Sequence, residues 1–313
     1  MSGGPEMAVL PAVLIEAFAE QPCHGNGAAV VLLERARPAP ELQALAGSLK
    51  QSETAFLLPW GREWLLRWFT PACEVPLCGH ATLAAVIALG HWGRLAAGAA
   101  TRFHTRSGPL PVELEEGAAR GRLALPGGDL RPRPVPPALQ TLLRQRLGHG
   151  AERFWGSGLG YHVALLPTQA PLPEPAGLAA ELPPEVRAGL VLMQALPAAD
   201  PADYRLRFFA PGLGIDEDPV TGSAHALVAP WWMERLGRPR VVGWQCSDRP
   251  GGMVCEAASS GMIRLSGWGY LLWDGVLQLP LRSGWAGAGT DSGSASLPSP
   301  DDPGDWFDGP PLP

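Results

Sequence analysis

Arg67-Trp68-Phe69-Thr70-Pro71 leads through Ala72 to Leu77 into Cys78-Gly79-His80-Ala81 and a wholly apolar run, and the chain says nearly the same thing a second time. The second copy reads Arg207-Phe208-Phe209-Ala210-Pro211, then Asp216-Glu217-Asp218, then Gly222-Ser223-Ala224-His225 and another apolar run. The Arg-aromatic-Phe-x-Pro pieces lie 140 residues apart and the Gly-x-Ala pieces 143 apart, so the second copy holds a three-residue insertion between them. Self-similarity at so long a period indicates two similar halves, not a solenoid. In each half an aromatic, branched segment reads as a strand stopped by proline, and a glycine turn then opens a helix.

Those helices carry the fold. Leu83-Ala84-Ala85-Val86-Ile87-Ala88-Leu89 is apolar on every face, and a helix without a polar face is buried. Ala224 to Ala229 behaves alike, with Pro230 expected to bend or finish it. A buried helix still presents unpaired N–H groups and a positive dipole end at its N-terminus. The small residues Gly79, Ala81, Gly222 and Ala224 stand there and would admit an anion close to the backbone. If the halves pack face to face, both helix ends serve one small anionic ligand. The competing reading is two core helices with ordinary glycine turns.

Around these segments the chain reads as mixed α+β. Ala12 to Ala17 and Ala28 to Leu33 are strand-like on either side of a turn-rich stretch, and Pro40 to Lys50 is an amphipathic helix. Strands are expected at Ala55 to Pro59, Trp64 to Phe69, Leu110 to Glu115, Arg120 to Leu125, Tyr161 to Leu166, Arg240 to Gln245, Met253 to Ser259, Met262 to Gly267 and Gly275 to Leu279. Leu139 to Leu147 reads as a short helix, and Pro167 to Pro184 as proline-rich surface. Gly127 to Pro137 makes the best boundary, giving domains at 1–128 and 129–283. The Gly-, Ser-, Pro-rich residues 284–313 read as a disordered tail.

Composition narrows the function. The 313 residues suffice for two cores of ordinary size. A charge of −6 argues against non-specific attraction to nucleic acid. Five scattered cysteines argue against a disulfide scaffold and for a reducing compartment. Met1 to Met7 lacks the pattern of a signal peptide, and no apolar run approaches the roughly 20 residues that cross a bilayer, so a cytoplasmic protein is expected. Lys50 is the sole lysine, which confines Schiff-base chemistry to that position.

Several side chains are suited to chemistry. Glu53 lies in a turn with no basic neighbour in sequence, and a carboxylate desolvated there would have a raised pKa, as a proton-abstracting base requires. An exposed turn glutamate is the plain alternative. His80 opens the first helix, where the dipole disfavours imidazolium and a neutral ring is expected. Asp218 precedes the second helix and is suited to offset its dipole, and Ser223 fits equally an N-cap or an anion ligand. Cys78 invites a two-thiol racemase reading, but the second copy has Val220 and Thr221 before Gly222, so the partner thiol is missing. Cys73, Cys78 and His80 match no common zinc spacing. Gly156-Ser157-Gly158-Leu159-Gly160 precedes a strand and so fails as a dinucleotide fingerprint.

Ser52-Glu53-Thr54-Ala55-Phe56, the stretch Glu74 to Ala84 and Glu217-Asp218-Pro219-Val220-Thr221-Gly222-Ser223-Ala224 together resemble the PhzF family of phenazine-biosynthesis-like isomerases. Ala17-Phe18, Gly25-Asn26 and Ala28 to Leu32 fit that family's first hairpin, with Gly27 where many members have proline. The resemblance runs from about Val13 to about Leu281. It implies two pseudo-symmetric domains of the diaminopimelate epimerase type, each a strand-rich barrel around a central apolar helix. It also implies cofactor-independent proton shuttling on a small carboxylic acid in the cleft between them, and a homodimer. Glu53, His80 and Asp218 take the catalytic positions by this resemblance, with Gly79, Ala81, Gly222, Ser223 and Ala224 holding the substrate and no metal involved. An amino-acid epimerase or racemase, and a non-catalytic protein binding a metabolite or partner, are the two other readings.

Overall fold

The computed structural model describes residues 7–117, 119–172, 177–280 and 304–307. In chain order the elements are β1 (Met7–Ala17), β2 (Asn26–Leu32), α1 (Ala39–Leu49), β3 (Glu53–Trp60), β4 (Glu63–Phe69), β5 (Glu74–Val75), α2 (Gly79–His91), β6 (Ala100–Thr105), β7 (Gly108–Leu114), β8 (Arg120–Pro126) and β9 (Arg131–Pro132). Then follow α3 (Pro137–Leu147), β10 (Arg153–Gly156), β11 (His162–Leu165), α4 (Leu178–Glu181), β12 (Leu190–Ala195), β13 (Tyr204–Ala210), β14 (Ile215–Asp218), α5 (Gly222–Leu236), β15 (Arg240–Gln245), β16 (Gly251–Ala257), β17 (Met262–Pro280) and α6 (Gly304–Phe307).

Contacts divide the chain into one unit of residues 1–17, 27–121 and 269–313 and another of residues 18–26 and 122–268. That division differs from the contiguous one expected. The reason lies in continuous strands. The second half of β17 pairs along the whole of β1, from Ala17↔Gly269 to Met7↔Pro280, and so returns to the first unit. The turn between β1 and β2 goes the other way, where Gly25 N–H donates to Pro250 O and Gly252 N–H to Phe18 O.

Within the first unit β2 pairs parallel with β3, β3 antiparallel with β4, β4 parallel with β6, and β6 antiparallel with β7. Within the second, β11 pairs parallel with β12, β12 antiparallel with β13, β13 parallel with β15, and β15 antiparallel with β16. The directions repeat in order. So do the short strands, β5 on β4 and β14 on β13, and the long helices that follow them. The insertion of the second copy falls between Pro211 and Glu217, where Pro211–Leu213 forms a single 3-10 turn between β13 and β14.

Each unit builds its core on these strands. In α2 every residue from His80 to Leu89 is buried. Relative to exposure, Leu83, Val86, Ile87 and Leu89 each contribute about 1.5–3 kcal/mol. Strands reach that helix through glycine: a Cβ on Gly121 would lie 2.7 Å from Leu83, and one on Gly269 would lie 2.3 Å from Ile87. A further layer of the first unit packs Leu10, Val31, Leu42, Phe56 and Phe69. In the second unit α3 lays Leu139, Leu143 and Leu147 against Phe154, Leu192 and Phe209.

One expectation narrows and three change. Of the two outcomes expected at Pro230, finishing the helix is not the one seen: α5 runs on to Leu236, and the extra turns bury Trp232 and Met233. The stretch expected as proline-rich surface, Pro167 to Pro184, contains α4 and runs into a 3-10 turn at Pro184–Val186, and it buries Ala170, Leu178 and Leu182. The two last strands are one, β17, whose register shifts opposite Leu14 and Ile15. Finally, part of the tail is ordered, since Gly304–Phe307 forms α6 and Trp306 is buried in the first unit, while 281–303 and 308–313 lie outside the described residues.

The glycine-studded loop Gly156 to Gly160 joins β10 to the antiparallel β11, so no helix follows it and the dinucleotide reading stays excluded. Among the described residues no helix is long and apolar enough to cross a membrane.

Candidate active site

Glu53 is the first residue of β3 and sits opposite Ala28 of β2. Its position follows from how α1 ends. Lys50 caps that helix in a left-handed conformation (φ 58°), which turns the chain sharply and delivers Ser52 and Glu53 to the end of the sheet. His80 is the second residue of α2. The two meet: His80 Nε2 lies 3.0 Å from Glu53 Oε2, with the side chains 6% and 14% exposed.

Ser52 completes the contact. Its hydroxyl donates to Gly27 O at 2.9 Å and lies 3.1 Å from His80 Nε2. A hydroxyl that has given its proton to a carbonyl accepts from the ring, so Nε2 carries a hydrogen and offers it to Ser52. Glu53 Oε2 is buried yet has no hydrogen bond of good geometry, despite the ion-pair distance. It therefore keeps a lone pair open. On the other side of the ring Cys78 Sγ lies 3.5 Å from His80 Nδ1.

Electrostatics corrects two expectations. Burial raises the Glu53 carboxyl, but the charge of His80 beside it leads the opposing effects that outweigh burial, and the pKa falls below 4.5. Glu53 is thus ionised at neutral pH without the raised pKa expected, because tertiary structure supplies the cation its sequence neighbours lack. Burial likewise lowers His80, while Cys78 and Glu53 pull it well above 6.5. The thiol of Cys78 is itself pushed above 9.0 by burial and by Glu53, so at neutral pH it is uncharged. Glu53 therefore carries the pull on His80. The helix dipole expected to keep the ring neutral loses to a full charge 3.0 Å away.

In the second unit Asp218 ends β14. Asn26 Nδ2 donates to its Oδ1 at 2.7 Å, the Thr221 hydroxyl donates to its Oδ2, and Gln245 Nε2 donates to its backbone O at 2.6 Å. Gln245 Oε1 in turn accepts from Thr221 N–H at 2.8 Å. Asp218 is thus a strut that fixes the loop into α5. The N-cap of α5 is Thr221 and that of α2 is Cys78, and neither helix has a side-chain cap. Gly222 and Ala224 are buried at the start of α5, and Ser223 is half-buried with no side-chain hydrogen bond among the described residues. So Glu53, Gly79, His80 and Ala81 stand together in the first unit, and Asp218, Gly222, Ser223 and Ala224 in the second.

The duplication extends to buried ion pairs. Arg67 Nε and Nη2 each donate to Glu74 at 2.7 Å, and Arg207 Nε and Nη2 donate to Glu217 at 2.7 and 2.6 Å. Arg67 lies over Phe69 and Arg207 over Phe209, at 5.2 and 5.6 Å. Each bidentate pair pins a short strand just ahead of its helix. Sequence reasoning quoted Asn26, Ser52 and Thr221 in its motifs and weighed Cys78 as a racemase thiol or metal ligand, but gave none of them a place in the site, and it missed Gln245 altogether.

Two units that repeat one strand order around a buried helix, with an acid–base pair at a helix start, define the diaminopimelate epimerase class of fold. Comparison with known proteins agrees. The family profile for phenazine biosynthesis-like proteins (PhzC-PhzF) matches residues 15–126 and 176–267. An uncharacterised isomerase of Pseudomonas aeruginosa is 35% identical over 274 residues, covering 85% of this chain and 97% of its own. A PhzF-family crystal structure from Enterococcus faecalis superposes with a TM-score of 0.74 at 31% identity, covering 86% of this chain and 99% of that one. A hydroxyproline epimerase from Agrobacterium vitis shares the fold alone, with a TM-score of 0.58 at 14% identity, over 87% of this chain and 93% of its own. The chain belongs to the phenazine biosynthesis-like, or PhzF, family.

Proposed function

We propose that this protein is an isomerase that moves a proton on a small carboxylic acid without a cofactor, and that Glu53 is its general acid and base. One observation carries this reading: a buried, ionised carboxylate touches a histidine at an uncapped helix start and keeps one oxygen without a hydrogen bond. Glu53 takes a proton from a carbon acidified by a neighbouring carboxylate or diene, and delivers it to another carbon. His80, held by Ser52 and Glu53, orients a polar substrate group and stabilises the charge that develops. Gly79 and Ala81 offer backbone N–H groups to the carboxylate at the start of α2, and Gly222, Ser223 and Ala224 present the same kind of groups and a hydroxyl at the start of α5, with Asp218 bracing that second set. Naming of the Pseudomonas relative as an isomerase supports the reaction class.

The test is uptake of solvent deuterium by a panel of small unsaturated and amino carboxylic acids, followed by NMR. Glu53→Gln keeps the size of the side chain and should slow uptake by about 10²–10⁴-fold while circular dichroism stays unchanged. Undiminished uptake in that variant rejects the mechanism. Chiral analysis of product separates double-bond isomerisation from epimerisation. Stabilisation by an acid that takes up no deuterium identifies a binding protein instead. A double variant of Glu53 and Ser223 reports whether the two sets serve one substrate, since coupled losses are non-additive.

A further inference from the structure

Glu53, Cys78 and His80 are the three potential metal ligands that the described residues bring within 4.8 Å of one another. Nitrogen, sulfur and carboxylate oxygen are the donor set of tetrahedral zinc. With bonds of about 2.0–2.3 Å, tetrahedral geometry sets ligand atoms about 3.3–3.6 Å apart. Here His80 Nε2 lies 3.0 Å from Glu53 Oε2 and 3.9 Å from Cys78 Sγ, each within a few tenths of an ångström of the tetrahedral separation, and the Glu53 and Cys78 ligand atoms lie within 4.8 Å of each other. The open lone pair of Glu53 Oε2 is one corner of that tetrahedron. Sequence spacing hid the set, because Glu53 comes from a strand end and only Cys78 and His80 are near neighbours in the chain.

We propose that Cys78, His80 and Glu53 form an inhibitory site for a borderline-soft divalent cation, of which zinc is the type, with water at the fourth position. Binding replaces the Cys78 thiol proton and the proton on His80 Nε2, both of which pass to buffer, and no electrons move. Once held, the cation occupies the Glu53 oxygen and the histidine, and proton transfer stops. The inhibitory half rests on the reading of Glu53 as the base; the binding half does not.

Cobalt(II), a coloured substitute for zinc, tests both halves on the whole protein. Titration should produce a sulfur-to-cobalt charge-transfer band in the near ultraviolet. That band should vanish in Cys78→Ser and persist in Cys23→Ser and Cys73→Ser. In His80→Asn, which keeps the thiol, cobalt affinity should fall at least tenfold. Zinc should displace cobalt and abolish deuterium uptake in the unsubstituted chain, with restoration by a chelator. Absence of the band, its survival in Cys78→Ser, unchanged affinity in His80→Asn, or full uptake with zinc saturating would each overturn the proposal. Cobalt binding by a chain that exchanges no acid would sink the isomerase reading and leave the cation site standing.

Discussion

At the scale of single residues, Glu53 and His80 set each other's charge. The imidazolium holds the carboxyl below 4.5 and the carboxylate holds the ring well above 6.5. Deuterium uptake should therefore fall at low pH as Glu53 takes up a proton, and at high pH as His80 loses one. Replacing His80 by Asn removes the cation and leaves the burial, so the carboxyl must rise. The acid limb of the uptake profile should move to higher pH, which a pH–rate series on that variant measures. An unmoved acid limb would mean that His80 does not govern Glu53. A stability effect accompanies it, with the same sign. A lowered carboxyl pKa stabilises the fold above its unfolded value and the benefit is lost as pH falls through the folded one, so the variant should show less acid sensitivity from this group.

At the scale of elements, the two long helices differ in what their buried positions hold. In α5, His225 is fully buried, with Nδ1 2.9 Å from the Tyr204 hydroxyl and Nε2 unpartnered among the described residues. Burial pushes its pKa down to about 3 from an ordinary 6.5. Between those values the unfolded chain binds a proton that the folded chain refuses, so stability falls as pH drops through that window. The cost reaches the order of a few kcal/mol near the lower end. His225→Asn should lower Tm at neutral pH by losing packing, yet show a flatter decline of Tm between pH 6.5 and 4. An equally steep decline would assign the acid sensitivity elsewhere. In α2 the corresponding place is Thr82, whose hydroxyl folds back onto Cys78 O, so no such group titrates there.

At the scale of the whole molecule, the chain is a duplication whose halves have been edited separately. The first unit gained a docking segment: Trp306 is buried, its backbone O accepts from Arg67 Nη1 at 2.8 Å, and Phe307 O accepts from Arg106 Nη2 at 3.0 Å. Trp306→Ala should cost about 2–3 kcal/mol in urea unfolding, and no change would show that the segment does not dock in solution. The sequence by itself determined the repeat, its three-residue insertion, the two buried helices and the family, because apolar periodicity and turn chemistry are written in consecutive residues. What only tertiary structure decided was the state of the site. Glu53 looked unpartnered until β3 met the start of α2, and Asp218 looked like a helix cap until Asn26, 192 residues away, took one of its oxygens. Charge and hydrogen-bond partners act through space at a few ångströms, and chain order fixes that distance only after the sheet has closed on its helix.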